Sequence, residues 1–183
     1  IAKPLKGSGG YNTNLLNNQS QLQLNCDEKL IVQEYIEGIN LSSSVLASEN
    51  EAENIVNSRL LTQHDFEKNS QFKYVGNILP LTEKSILAPV KNTDAINREM
   101  ADTSEKLIRK FELIGSNGVD FILNKNGLYV IEINPRIQGT FECVQQALGI
   151  NMLEAHIKAC QNEIIAIDKA KYYSYKKIIY SPK

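Results

Sequence analysis

The stretch from Gly118 to Pro135 constrains this chain more than any other. Gly118-Val119-Asp120-Phe121-Ile122-Leu123-Asn124 and Leu128-Tyr129-Val130-Ile131-Glu132-Ile133-Asn134 are β-type runs separated by Lys125-Asn126-Gly127, and Pro135 ends the second. Asparagine and glycine between two such runs mark a β-hairpin. Side chains alternate faces along a strand, so Glu132 and Asn134 point the same way, roughly 6.6 Å apart. Ile131 and Ile133 then enter an opposite, apolar layer. The hairpin therefore belongs to a sheet with one apolar side and one polar side. Whether Asp120 shares the polar side depends on the turn. A two-residue Asn126-Gly127 loop pairs it with Ile133 and sends its carboxylate to the wrong face. A three-residue Lys125-Asn126-Gly127 loop sets it opposite Glu132.

Opposed carboxylates repel unless something neutralises them. Asp120, Glu132 and Asn134 supply two carboxylates and an amide oxygen, hard ligands suited to Mg²⁺. The bland alternative is a solvated acidic face. The following Asn134-Pro135-Arg136-Ile137-Gln138-Gly139 shifts the balance, because Arg136 brings planar donors that suit carboxylate or phosphate oxygens.

Period and punctuation place the other elements. Ile1–Leu5 reads as a short strand ending in the turn Lys6-Gly7-Ser8-Gly9-Gly10, and residues 11–25 as a polar loop with too little apolar surface to offset ordering. Leu30–Ile36 is β-branched and strand-like, with Leu41–Ser48 expected as its partner through the turn Glu37-Gly38-Ile39-Asn40. Short strands are expected at Ser58–Thr62 and Phe72–Val75, and Pro80 and Pro89 bracket a connector. Ile96, Met100, Leu107, Phe111 and Ile114 fall at spacings of 4, 7, 4 and 3, a helical period. Asn92, Thr93 or Asp94 would cap that helix and Gly115 would end it. Helices at Phe141–Leu148 and Met152–Gln161, the second capped by Asn151, and a strand at Tyr172–Tyr180 complete the chain.

Bulk properties exclude several classes. Lys and Arg total 20 against 21 Asp and Glu, so no general electrostatic grip on nucleic acid or a membrane surface is expected. Apolar runs such as Ile164-Ile165-Ala166-Ile167 are too short to span a bilayer. The opening Ile1-Ala2-Lys3-Pro4 has no apolar leader character, and a cytoplasmic protein is expected. Cys26, Cys143 and Cys160 lack disulfide or zinc spacing and read as reduced thiols. His64 and His156 have no metal-ligand spacing and read as surface or packed residues.

Lys3 ahead of Gly7-Ser8-Gly9-Gly10 suits phosphate, since glycines let backbone N–H groups approach oxygens closely and lysine adds charge. It is neither a Walker A loop nor a dinucleotide fingerprint. In order, however, three segments resemble the ATP-grasp superfamily. Lys3–Gly10 is similar to its phosphate lysine and glycine loop, and Val32-Gln33-Glu34-Tyr35-Ile36-Glu37-Gly38 to its adenine hinge. Val119-Asp120-Phe121 with Val130–Arg136 is similar to its metal hairpin. The resemblance implies an α+β fold of two subdomains gripping ATP, residues 1–88 forming a small lid and 89–183 the larger part. It further implies Lys3, Gly9 and Gly10 at the phosphates, Gln33, Tyr35 and Ile36 at adenine, and Asn40 near the ribose in place of a common glutamate. Asp120, Glu132 and Asn134 would hold Mg²⁺, or Mn²⁺ in its stead, and Arg136 and Lys3 would serve catalysis.

The pattern Asn134-Pro135-Arg136-Ile137-Gln138-Gly139-Thr140 resembles an archaeal-type carboligase-like group related to biotin carboxylase, in which the Arg and Gln hold bicarbonate. Thr140 stands where biotin carboxylase carries its base glutamate, which disfavours bicarbonate chemistry. The implied reaction joins a small-molecule carboxylate to an amine through an acyl phosphate, in a monomer or a homodimer. Members also carry an N-terminal Rossmann-like domain with a second ATP lysine and much of the substrate site, which is expected to be missing here. The alternative is a nucleotide- or partner-binding module inactive without that domain.

Overall fold

The computed structural model describes residues 1–6, 9–10, 12–16, 29–66, 72–85 and 92–180. Gly7, Ser8, most of the polar stretch before Asn25, Cys26 and Pro89 lie outside the described residues.

Strands β1 (Ala2–Pro4) and β2 (Leu30–Val32) form a small antiparallel ribbon with Lys3 opposite Ile31. The main sheet comprises β3 (Ile39–Ala47), β4 (Ala52–Thr62), β5 (Tyr74–Leu79), β6 (Gly115–Asn124), β7 (Gly127–Asn134) and β8 (Ser174–Lys177). Its order is β7-β6-β3-β4-β5-β8, with every neighbouring pair antiparallel. Helices α1 (Thr93–Lys110), α2 (Phe141–Leu148) and α3 (Met152–Cys160) complete the α+β architecture.

Burial along β3 shows where the core lies. It is unbroken from Leu41 to Ala47, so at this end both faces of the sheet are covered. Val45 packs with Met100 and Ile108 of α1 and with Val119 and Phe121 of β6. Its neighbour Leu46, pointing to the other face, packs with Val144 and Leu148 of α2 and Ala155 and Ala159 of α3. The helices keep the ends expected of them at their N-termini. Asn92 Oδ1 accepts from the Ala95 N–H, and Asn151 Oδ1 from the Leu153 and Glu154 N–H groups.

Several expectations need correction. β2 pairs with β1 and not with β3, whose partners are β4 and β6. The segment between them is a crossover held close to β6. A Cβ on Gly38 would lie 2.4 Å from the Leu123 carbonyl oxygen, and Asn124 Nδ2 donates to the Glu37 carbonyl at 3.2 Å. Residues 1–88 therefore do not form one lid, since β3, β4 and β5 share a sheet with β6 and β7. Helix α1 stops at Lys110 and the left-handed residue after it is Glu112, at φ 53°. Phe111 and Ile114 continue the apolar period but are exposed. Gly115 opens β6 instead, where a Cβ would lie 2.5 Å from the His156 ring. The last strand is shortened to Ser174–Lys177.

The hairpin takes neither expected turn. Asn124 pairs with Gly127 and Phe121 with Val130, leaving Lys125-Asn126 as the loop, and the register then shifts so that Asp120 faces Glu132. A β-bulge at Ile131 supplies the extra residue. The acids end up opposed, by a route the turn alone did not indicate.

Candidate functional site

A cleft of about 530 Å³ separates the β1–β2 ribbon from the polar side of the main sheet. It is lined by every residue singled out from the sequence: Lys3, Gly9, Gly10, Gln33, Tyr35, Ile36, Asn40, Asp120, Glu132, Asn134 and Arg136.

The floor comes from β6, β3 and β7. Asp120 Oδ1 accepts from Ser42 Oγ at 2.6 Å, and Oδ2 from Asn134 Nδ2 at 2.9 Å. Burial pushes the Asp120 carboxyl above the ordinary aspartate range; the Ser42 and Asn134 hydrogen bonds pull it down, Glu132 raises it and Arg136 lowers it. Arg136 donates through Nη2 to Asn134 Oδ1 at 3.1 Å. Lys3 reaches across from β1, its Nζ 3.6 Å from Glu132 Oε2. Among the described residues no group of three His, Cys, Asp or Glu side chains gathers around one point. A cation here would take the two carboxylates with the Asn134 amide oxygen. That all-oxygen donor set fits Mg²⁺, and the acidic pair facing itself across two strands is the feature a dication would neutralise.

The roof is the glycine turn. Gly10 has φ +72°, and a Cβ there would lie 2.0 Å from the Phe72 carbonyl oxygen. The Tyr74 N–H donates to the Gly9 carbonyl at 2.9 Å, so the turn hangs from the start of β5. One wall is aromatic. Phe72 stands between Tyr35, with ring centroids 5.7 Å apart, and His64, at 5.9 Å. His64 is carried there by a 3₁₀ turn, Gln63–Asp65, whose Asp65 accepts from the Thr62 N–H and from Arg59 Nη2. At the far end Tyr74 donates to Asn77 Oδ1 at 2.6 Å, and burial raises its phenol well above the usual tyrosine range, so the hydroxyl stays protonated. Thr140 also lines the cleft and is buried, and its hydroxyl has no partner among the described residues.

Phe72, His64, Tyr74 and Ser42 were not anticipated. No motif spacing marks them, because their places depend on long-range pairing. The only local signal was the turn pair Thr62 and Asp65, which flanks His64 just after β4.

The model of the ATP-grasp domain matches residues 1–140. Tyramine–L-glutamate ligase of Methanocaldococcus jannaschii is 30% identical over 140 residues, covering 75% of this chain and 38% of the ligase. An uncharacterised protein of the same organism is 30% identical over 156 residues, covering 83% of this chain and 34% of its own. The chain thus spans about a third of the length of these relatives. Among solved structures, the biotin carboxylase domain of Hydrogenobacter thermophilus 2-oxoglutarate carboxylase, in complex with MgADP, ADP and bicarbonate, superposes with a TM-score of 0.61. It is 19% identical and covers 80% of this chain and 31% of that one. Campylobacter jejuni biotin carboxylase, in a β,γ-ATP complex, also gives 0.61 at 18% identity over 78% of this chain and 30% of its own.

Proposed function

Given that the chain belongs to the ATP-grasp family, we propose that its cleft binds Mg-ATP and activates a small-molecule carboxylate for ligation to an amine. One observation carries this reading. Lys3 on the ribbon and the paired acids on the main sheet meet across a single cleft, 3.6 Å apart at Lys3 and Glu132.

On this reading Asp120, Glu132 and Asn134 hold Mg²⁺, or Mn²⁺, which neutralises phosphate charge when bound. Lys3 pairs with phosphate oxygens while the backbone of Gly9 and Gly10 closes over them. Gln33, Tyr35 and Ile36 take adenine against the Phe72 wall, and Asn40 takes a ribose hydroxyl. A substrate carboxylate oxygen attacks the γ-phosphorus as the bond to the bridging oxygen breaks and ADP leaves. An amine then attacks the acyl carbon, and inorganic phosphate departs. Arg136, exposed at the cleft and fixed on one side by Asn134, is placed to orient the transferring phosphoryl group or its acceptor. The residues act by position and charge, as in phosphoryl transfer generally. The ligase relative, whose name gives tyramine and L-glutamate, is the guide to substrate class. A cytoplasmic setting belongs to the same reading. So does a lid limited to the residues before Ile39, the point where the two sheets part.

Hydroxylamine tests it by intercepting an acyl phosphate. With Mg-ATP, L-glutamate and hydroxylamine, the protein is expected to release ADP and hydroxamate in equal amounts; ADP with no hydroxamate, across a panel of carboxylates, would refute the acyl-phosphate route. The alternative reading is a module that binds Mg-ATP without turning it over. Binding by calorimetry with no ADP release would select it.

A further inference from the structure

Gln138 follows Arg136 closely and lines the cleft, which invites a substrate contact. Its amide is already spent. Ser44 Oγ donates to Gln138 Oε1 at 3.3 Å, and Gln138 Nε2 donates to Ser42 Oγ at 3.0 Å and, more distantly, to Asp120 Oδ1 at 3.4 Å. With its oxygen accepting from Gln138, the Ser42 hydroxyl gives its own proton to Asp120 Oδ1 at 2.6 Å. The opposite amide orientation would aim the glutamine oxygen at a carboxylate oxygen, so electrostatics selects this one. Ser42 and Ser44 are buried on β3, opposite Asp120 and Gly118 respectively.

The seat is built for this side chain. A Cβ on Gly118 would lie 1.8 Å from Gln138 Cδ. Gly118 does not have a left-handed φ, so the backbone does not require glycine there. The space does.

We propose that Gln138 is a positioning residue for Asp120 and not a substrate ligand: Ser44, Gln138 and Ser42 form a strut that fixes the carboxylate for cation binding. The proposal rests on the reading of Asp120 as a cation ligand. Hydrogen-bonded partners of metal ligands commonly hold about 10- to 100-fold of metal affinity, and a strut of directional donors is how such an effect arises.

Two variants remove the strut without touching a ligand. Ser42→Ala deletes the terminal donor. Gly118→Ala evicts the glutamine amide, and only the end of a flexible side chain has to move. Mn²⁺ is titrated against each protein with ADP present, following the free-ion signal by electron paramagnetic resonance; ADP binding in EDTA is measured separately by calorimetry. Both variants are expected to hold Mn²⁺ about ten-fold more weakly while metal-free ADP binds as in the wild type, a split that loosened packing would not give. If both hold Mn²⁺ as tightly as the wild type, or if ADP affinity falls in step with Mn²⁺, the strut is wrong. Should Ser42→Ala fail to fold, Gly118→Ala decides alone. Asp120→Asn separates the two claims: wild-type Mn²⁺ affinity in that variant sinks the reading of the site itself, whereas weakened binding there with normal binding in the strut variants sinks only the strut.

Discussion

Replacing Gly10 by alanine should weaken nucleotide binding far more than replacing Gly9, though the two are adjacent and both left-handed. Gly9 has φ +62° with nothing within 4 Å of an added Cβ; Gly10 has φ +72° with the Phe72 carbonyl oxygen 2.0 Å and its carbon 2.7 Å away. Both substitutions meet the backbone cost of a left-handed alanine, roughly 1–2 kcal/mol. Only Gly10→Ala must also push the Phe72 backbone aside. That breaks the bond from Tyr74 to Gly9, about 1 kcal/mol, and pulls the Phe72 ring from its neighbours. The sum for Gly10→Ala is about 2–3 kcal/mol, or roughly 30- to 160-fold in affinity, against about 5- to 30-fold for Gly9→Ala. Isothermal calorimetry with Mg-ATP measures both. If Gly10→Ala binds no more weakly than Gly9→Ala, the close approach between turn and β5 does not hold the roof in place.

Three further outcomes follow from the same geometry. Glu132→Gln removes a repulsion from Asp120 worth up to about 1 kcal/mol and a half-exposed ion pair with Lys3 worth up to about 1 kcal/mol. Its thermal stability should therefore stay near wild type while Mg-dependent ADP release collapses; normal turnover by the folded variant would end the metal assignment. Because burial raises the Asp120 carboxyl, its contribution to metal-free stability is fully present below its unfolded pKa, near 3.8, and is lost as pH rises through the higher folded value. Relative to Asp120→Asn, the wild type should thus lose stability as pH rises above about 4 in urea titrations, and a constant difference would contradict the sign. Asn151→Ala removes the cap of α3 and should cost about 1 kcal/mol in thermal unfolding with no change in Mg-ATP affinity.

The sequence carried the hairpin because alternation, a turn and Pro135 are local signals. It did not carry the register, since the shift is a bulge on β7 at Ile131 that neither the turn nor the alternation marks, while β6 runs in unbroken register with β3. The run Leu30–Ile36 looked like a central strand, yet Val32 is 61% exposed; apolar character there serves a thin ribbon over a cleft and not a core. Helix α1 was overextended because Phe111 and Ile114 keep its period after its backbone has turned away. At the site, residues with chemical character of their own were legible: the lysine, the glycines, the acids, the arginine. Phe72 and His64 were not, because an aromatic ring announces nothing about the cavity it will line until a distant glycine turn is laid against it.

The extra residue at Ile131 divides β7 into two stretches, each paired with β6 in its own register. Below it Glu132 faces Asp120 and above it Val130 faces Phe121, while β6 keeps one register with β3 from Gly115 to Leu123. A lineage could lengthen, trim or recolour the tip, and the slack at that one position would absorb the change before it reached the acids. Loss of a single residue between Ile131 and Asn134 would find no such slack, and would turn one acid away from the other.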